Sequence, residues 1–296
     1  MAGVECSETG NEDGAIENYT KALILDPERG DTLYNLGLIY KYRGAWAQSF
    51  DFNRRARALQ SDDEATLWNL AIAATALRDW RTARDVWRTL NIITEAGEGP
   101  IEQNRGSTPV RLNADGRTVG VVEVVWSQAL CPVRSRLLNI PTGETNFRYG
   151  DTVLHDGAAV GYRLNSNGLE CPVFNVLELF EPSKFSTYEA TAQADSPIEI
   201  EALDRACSEA DIQFEDWTAS LRSLCKACSE GRPHEGHDHE LKESKAWEGS
   251  RRVGFAAVDL KALDAVLEAW TVRPGCRVSN LRCTLEAGPG VVSKRA

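Results

Sequence analysis

The chain has 296 residues, of which 42% are hydrophobic and 26% are charged, and its formal net charge is −11. This length accommodates two or three globular domains. The acidity argues against general nucleic-acid binding, which requires clustered basic residues, and favours a basic protein or peptide as the partner.

The opening residues, MAGVECSETGNEDG, lack the basic region and apolar run of a signal peptide. No apolar run approaches the roughly 18 residues that a membrane-spanning helix needs. We therefore expect a cytoplasmic protein without a membrane span. Its eight cysteines are then better interpreted as reduced thiols and metal ligands than as a disulfide framework.

The N-terminal region contains an internal repeat. The segments TLYNLGLIYKYRGAWAQS and TLWNLAIAATALRDWRTA begin 34 residues apart, at Thr32 and Thr66. An earlier segment, GAIENYTKALILDP, has the small and aromatic residues of a partial further unit. A fixed period of this length indicates a solenoid of stacked repeats. The residues that recur between the two full units are Leu33 and Leu67, Asn35 and Asn69, Leu36 and Leu70, and Trp46 and Trp80.

This pattern resembles the tetratricopeptide repeat (TPR), a pair of antiparallel helices. The resemblance covers residues 1 to about 92, and it implies an α-helical TPR array as a domain of residues 1–95. Asp31 and Asp63 are predicted to cap the helices that follow them. About two and a half repeats are present, fewer than the three or so that are stable alone, so we expect the open end of the array to pack on the next domain.

The resemblance implies a concave groove that binds a peptide or another protein. Asn35 and Asn69 occupy equivalent positions, and an asparagine amide can both donate and accept hydrogen bonds with a peptide backbone. Core packing is the alternative role for the aromatic candidates, and capping or dimerisation is the alternative role for the whole array. The predicted partner-binding residues are Tyr34, Asn35, Tyr42, Trp68 and Asn69.

Residues 105–182 have the pattern of short strands. VGVVEVVWSQ, FRYGDTVLHDG, AVGYRL and LECPVFNVLEL are rich in β-branched and aromatic residues and are punctuated by glycine. They predict a small β-barrel-like domain. His155 would need to meet Cys131 or Cys171 in space to form a nucleophilic pair, and we interpret this single strand histidine as structural.

Residues 183–290 alternate between the two kinds of pattern, in the order β-α-β-β-α-β. This order predicts a ferredoxin-like domain, which is a four-stranded antiparallel sheet with two helices on one side. A metal-binding insertion at about 222–246 lies between its second and third strands. The predicted fold class is therefore an α+β multidomain protein with a TPR array, a barrel-like segment and a ferredoxin-like domain.

The insertion gathers three of the four histidines of the chain beside a Cys-x2-Cys pair. Zinc accepts thiolate and imidazole ligands in a tetrahedral set, and structural sites fill all four positions with protein ligands. A polar loop without metal and a redox dithiol are the alternatives. We predict a structural Zn²⁺ that staples the loop. Its five candidate ligands are Cys225, Cys228, His234, His237 and His239.

The sequence has no phosphate loop, dinucleotide fingerprint or recognisable nucleophile–base pair. We therefore predict a non-catalytic protein-binding module rather than an enzyme. A more specific hypothesis is a bacterial immunity or antitoxin protein that neutralises a toxin or effector by direct binding. The alternatives are a zinc-dependent hydrolase with Glu235 as its base, and an RNA-binding or regulatory protein. The spacing of Phe214 and Trp217 argues against RNA binding, because it points them to opposite faces of a regular strand.

Overall fold

The computed structural model describes residues 11–114, 120–220 and 247–288. The chain divides into two compact units. The first comprises the described residues up to Arg105 together with Ala129–Arg134, and the second comprises Gly106–Gln128 and the described residues from Ser135 onward. The expected combination of an N-terminal helical array and a C-terminal sheet region is confirmed.

The described part of the first unit contains an array of five helices, in which neighbours along the chain pack on each other. Short turns join the helices, as in stacked helical hairpins. The helices are α1 (Glu12–Leu25), α2 (Gly30–Tyr42), α3 (Trp46–Leu59), α4 (Glu64–Ala76) and α5 (Trp80–Thr89).

One of the two predicted helix caps has the expected geometry. The Asp63 carboxylate accepts a hydrogen bond of 2.9 Å from the backbone N–H of Thr66, and thereby satisfies a free amide at the start of α4. Asp31 differs, because α2 already begins at Gly30. Its carboxylate instead accepts a hydrogen bond of 2.7 Å from the N–H of Thr32.

Helices α2 and α3 approach closely at Gly37. The Ser49 hydroxyl donates to the Gly37 carbonyl over 2.8 Å, and Asn53 Nδ2 donates to the Ser49 carbonyl over 2.8 Å. Both polar side chains are fully buried. A Cβ atom at position 37 would overlap the Asn53 amide, so the contact depends on a residue without a side chain.

Helix α4 is buried on almost every face. Each residue from Thr66 to Thr75 is buried except Trp68, which is half-buried. A helix that is apolar all round requires packing partners on all sides. This helix is therefore the centre of the first unit.

The segment after α5 packs back on that helix. Arg84 Nε on α5 donates to the Glu95 carbonyl over 2.9 Å. The guanidinium of Arg134, which is fully buried, lies 4.8 Å from the Trp80 ring centroid and donates to the Ile101 carbonyl over 2.7 Å. The last helix of the array is thus covered within the first unit.

The middle region contains five strands that close into a barrel in the order β1-β2-β3-β4-β5. Strand β1 pairs antiparallel with β2 and parallel with β5, which closes the barrel. A 3-10 helix, Gly143–Thr145, lies between β3 and β4. The strands are β1 (Ser107–Leu112), β2 (Glu123–Cys131), β3 (Arg134–Leu137), β4 (Thr152–Leu164) and β5 (Glu170–Glu181).

His155 is a buried structural residue of the barrel. Its Nε2 atom lies 3.1 Å from the Ser135 hydroxyl, and its Nδ1 atom lies 2.9 Å from the Asp156 carbonyl. Its ring stacks on Phe174 with centroids 5.1 Å apart. The hydrogen bonds of His155 thus join it to a serine hydroxyl and a backbone carbonyl. Burial lowers the pKa of His155 from 6.5 to about 4, which keeps the imidazole neutral at pH 7.

The C-terminal region forms a four-stranded antiparallel sheet in the order β7-β8-β6-β9. One face of the sheet carries the largest apolar cluster of the second unit, in which Tyr188 and Phe255 meet Leu263 and Trp270 from a helix. The strands are β6 (Ser186–Gln193), β7 (Gln213–Asp216), β8 (Ser250–Ala257) and β9 (Arg277–Leu285). The helices are α6 (Pro197–Glu209), the single turn α7 (Trp217–Ser220) and α8 (Leu260–Thr271).

Within the second unit, the other face of this sheet contacts the loop after β3. Trp217 Nε1 donates to the Ile140 carbonyl over 2.9 Å, and the Ile140 N–H donates to Glu215 Oε2 over 2.8 Å. Gly254 lies under the Trp217 indole, and a Cβ atom there would overlap the ring. Trp217 is therefore a buried anchor between barrel and sheet.

We predict that Gly37→Ala destabilises the first unit by about 1–3 kcal/mol, because the added methyl group displaces a buried, hydrogen-bonded amide. Urea denaturation followed by circular dichroism measures this change. Gly30→Ala is the matched control, since the atom nearest to its Cβ would be 3.9 Å away. Equal stability of both variants would contradict the close contact between α2 and α3.

We predict that His155→Gln abolishes the loss of folding stability that protonation of His155 causes as the pH falls. The folded state holds the imidazole neutral, so the unfolded state binds more protons between the two pKa values. The contribution of His155 is complete above pH 6.5 and is lost as the pH falls toward 4, by up to about 3 kcal/mol. Denaturation of both proteins across this range measures the difference. A constant difference at every pH would show that His155 does not titrate as described.

Candidate protein-interaction surface

Helix α2 presents a polar and aromatic stripe. Asn35, Leu38 and Tyr42 are spaced by three and four residues, so they share one helix face. Asn35 and Leu38 are half-buried, and Tyr42 is 40% exposed at the end of the helix. The Lys41 ammonium lies 4.4 Å from the centroid of the Tyr42 ring. Tyr34, also half-buried, lies next to Asn35 on this helix.

The equivalent positions on α4 have a different environment. Trp68 packs edge-to-face on Trp87, with ring centroids 5.0 Å apart and an interplanar angle of 69°. Asn69 is only 4% exposed. The ring contact of the half-buried Trp68 and the burial of Asn69 favour a packing role for both side chains. The remaining predicted contact residues are those of α2, namely Tyr42, which is exposed, and Tyr34 and Asn35, which are half-buried.

The predicted zinc ligands lie outside the described residues, so the metal site stays a prediction. Among residues 11–114, 120–220 and 247–288, no group of three or more His, Cys, Asp or Glu side chains is arranged to hold a metal ion. The five predicted ligands in question are Cys225, Cys228, His234, His237 and His239.

The aromatic residues considered for RNA stacking are not displayed on the sheet. Phe214 packs against Phe255 in the apolar cluster, with ring centroids 5.6 Å apart. Trp217 is 2% exposed. Recognition of single-stranded RNA by such a sheet depends on exposed aromatic rings. The positions of these two residues therefore do not favour the RNA-binding alternative.

No helix within residues 11–114, 120–220 and 247–288 combines the length and the apolar composition that crossing a bilayer demands.

The chain matches no protein-family model. It is similar to the Photosystem I assembly protein Ycf3 of Prochlorococcus marinus strain MIT 9215, with 41% identity over 64 residues, or 21% of this chain and 36% of that protein. Ycf3 of strain MIT 9211 is 44% identical over 59 residues, which cover 20% of this chain and 29% of the relative. The chain thus spans about a third of the length of these curated relatives.

Among solved structures, the chain is similar to a hypothetical protein from Neisseria gonorrhoeae. The identity is 11% and the TM-score is 0.29, over 64% of this chain and 98% of that one. A TM-score of this size transfers neither fold nor function. The similarity to Ycf3 falls in the N-terminal region, and the helical array observed there is compatible with the TPR resemblance.

Proposed function

We propose that the protein is a non-catalytic protein-interaction module, and that the exposed face of α2 in its TPR-like array is the contact surface. The observation that carries the proposal is the stripe of Asn35, Leu38 and Tyr42 on a helix of this array. The similarity of the N-terminal region to proteins named for an assembly role supports the same class of function.

The chemistry of the stripe suits a protein ligand. Tyrosine supplies a large, rigid contact surface with a polar end, and it is enriched among the residues that dominate binding energy. The Asn35 amide can donate to a carbonyl and accept from an N–H of a bound backbone. The net charge of −11 favours encounter with a basic partner through long-range attraction.

The more specific functional hypotheses gain nothing from the comparisons. The relatives are named for assembly of photosystem I, and neither similarity refers to toxins or immunity. We therefore keep the general class, which is the binding of another protein, and do not favour the hydrolase or the RNA-binding alternative.

Four further assignments belong to this proposal. The four-stranded sheet and its helices are a ferredoxin-like domain, a name that the strand order β7-β8-β6-β9 supports. The barrel is a separate domain over residues 105–182. Cys225, Cys228 and the histidines after them bind one structural zinc, and the protein acts in the cytoplasm.

Affinity capture with the intact chain tests the contact surface. We expect a partner identified by mass spectrometry to bind at least about tenfold more weakly to an Asn35→Ala/Tyr42→Ala variant, because truncation removes an amide and an aromatic contact. Gln48→Ala/Leu59→Ala on α3 is the matched control, since it removes an exposed amide and an exposed apolar side chain from another helix. Equal binding by both variants would contradict the proposal.

Metal analysis of the protein, purified without chelator, tests the zinc. We expect about one zinc per chain, and we expect Cys225→Ser/Cys228→Ser to lose it. Cys283→Ser is the control, because this exposed thiol lies on β9. A zinc content far below one per chain in the unaltered protein would contradict the prediction of a structural zinc.

A further inference from the structure

Strand β9 is an edge strand of the C-terminal sheet. It pairs with β6 on one side, and within the described part of the chain no strand pairs with its outer edge. Its residues from Arg277 to Cys283 are exposed or half-buried. An edge strand offers a row of backbone donors and acceptors to another extended chain. Proline and lysine, which commonly protect such edges, are absent from its sequence, RVSNLRCTL.

A bulge in β9 places two arginines on the same face of the sheet. The register pairs Gln193 with Arg277 and Glu189 with Arg282. The two residues on β6 are four positions apart, whereas the two arginines on β9 are five positions apart. The extra residue lies in the bulge near Asn280, whose φ of 56° is in the left-handed region. Because directly paired side chains point to the same face, Arg277 and Arg282 both lie on the face of Glu189 and Gln193.

The β9 margin of this face carries exposed arginines, whereas Arg252, farther from the edge, also interacts with Glu123 and Glu144. Glu189 is shared by two guanidiniums, with Arg252 Nε at 2.7 Å and Arg282 Nη2 at 3.2 Å. The side chain of Arg282 remains 67% exposed, whereas that of Glu189 is 16% exposed. Arg277 is also exposed, and β9 itself contains no acidic residue. Arg252 and Arg282 thus share the Glu189 carboxylate, and the exposed Arg277 and Arg282 lie beside an open strand edge.

The charge pattern decides between the candidate occupants of this edge. A second copy of the chain, paired through its own β9, would bring Arg277 and Arg282 of both strands together without an acid on either strand. Single-stranded RNA would require exposed aromatic rings, and β9 has none. An extended acidic protein segment satisfies both the backbone groups and the guanidiniums.

We propose that the outer edge of β9 binds an extended acidic segment of another protein by strand addition. The main chain of the segment pairs with β9, and its acidic side chains contact Arg277 and Arg282. We expect the two acidic residues of the segment to be four positions apart, which is the separation of Glu189 and Gln193 on β6. Four positions correspond to about 13 Å along a strand. This surface is independent of the helical array. The net negative charge of the chain is screened beyond about 10 Å, so the nearby arginines govern binding at close range.

Fluorescence anisotropy with labelled synthetic peptides and the intact protein tests the proposal. The probe is a threonine- and valine-rich peptide with two glutamates four positions apart. We expect it to bind, and we expect Arg277→Glu/Arg282→Glu to weaken binding by about tenfold or more, with a smaller loss for Arg277→Gln/Arg282→Gln. Arg205→Glu on the exposed side of α6 is the control with the same kind of charge change, and circular dichroism verifies the fold of each variant.

Two further probes separate strand addition from general attraction of anions. A peptide with alternate N-methylated amides should lose binding, because methylation removes the hydrogen bonds to the strand edge. A peptide with lysine in place of both glutamates should not bind. The proposal is overturned by no binding of the glutamate peptide, by equal binding of the methylated or lysine peptide, or by binding that survives charge reversal. It is also overturned if oligouridylate binds more tightly than the glutamate peptide.

Discussion

The burial of α4 on nearly all of its faces is the constraint on which the first unit depends. A helix whose residues from Thr66 to Thr75 are almost all buried cannot also serve as an open binding surface. The neighbouring helices pack on α4. The segment held by Arg84 and Arg134 covers the adjacent helix α5. Of the predicted contact residues, those on α2 are less enclosed by this packing, and α2 therefore carries the proposed contact with a partner.

The second unit combines a buried anchor with an open edge. Trp217 and Glu215 bond to the loop after β3, and this contact covers one end of the sheet face. The same face carries Arg252, which lies 5.1 Å from the centroid of the Trp217 ring, and carries Arg277 and Arg282 at the β9 edge. An acidic chain thus displays two exposed arginines beside a strand edge that no other strand of the described residues pairs with. Local charge and hydrogen-bonding capacity, rather than net charge, determine what such a surface binds.

The 34-residue offset predicted the helical array, because recurring threonine, leucine and asparagine positions report a repeated packing environment. The same recurrence could not distinguish Asn35 from Asn69. These asparagines are equivalent in the repeat, and only the surrounding tertiary packing buries the second one. Pattern alone therefore identified the candidate surface but not its accessible part.

Two features of the sheet could not be predicted from the sequence, and the reason is again tertiary packing. Phe214 and Trp217 were expected on one regular strand, but β7 ends at Asp216 and the Trp217 indole packs over Gly254. Arg277 and Arg282 are five residues apart, a spacing that places side chains on opposite faces of a regular strand. The bulge reverses this relation, and it depends on pairing with β6 rather than on a local signal.

The central claim is that α2 is the surface through which this protein binds another protein. Photo-crosslinking from benzoylphenylalanine introduced at Tyr42, with the intact chain, tests it most directly. Arg54 on α3, whose side chain is 62% exposed, is the control position. The account predicts that position 42 captures a defined protein and position 54 does not. Capture of the same protein with equal yield from both positions, or from position 54 alone, would contradict it.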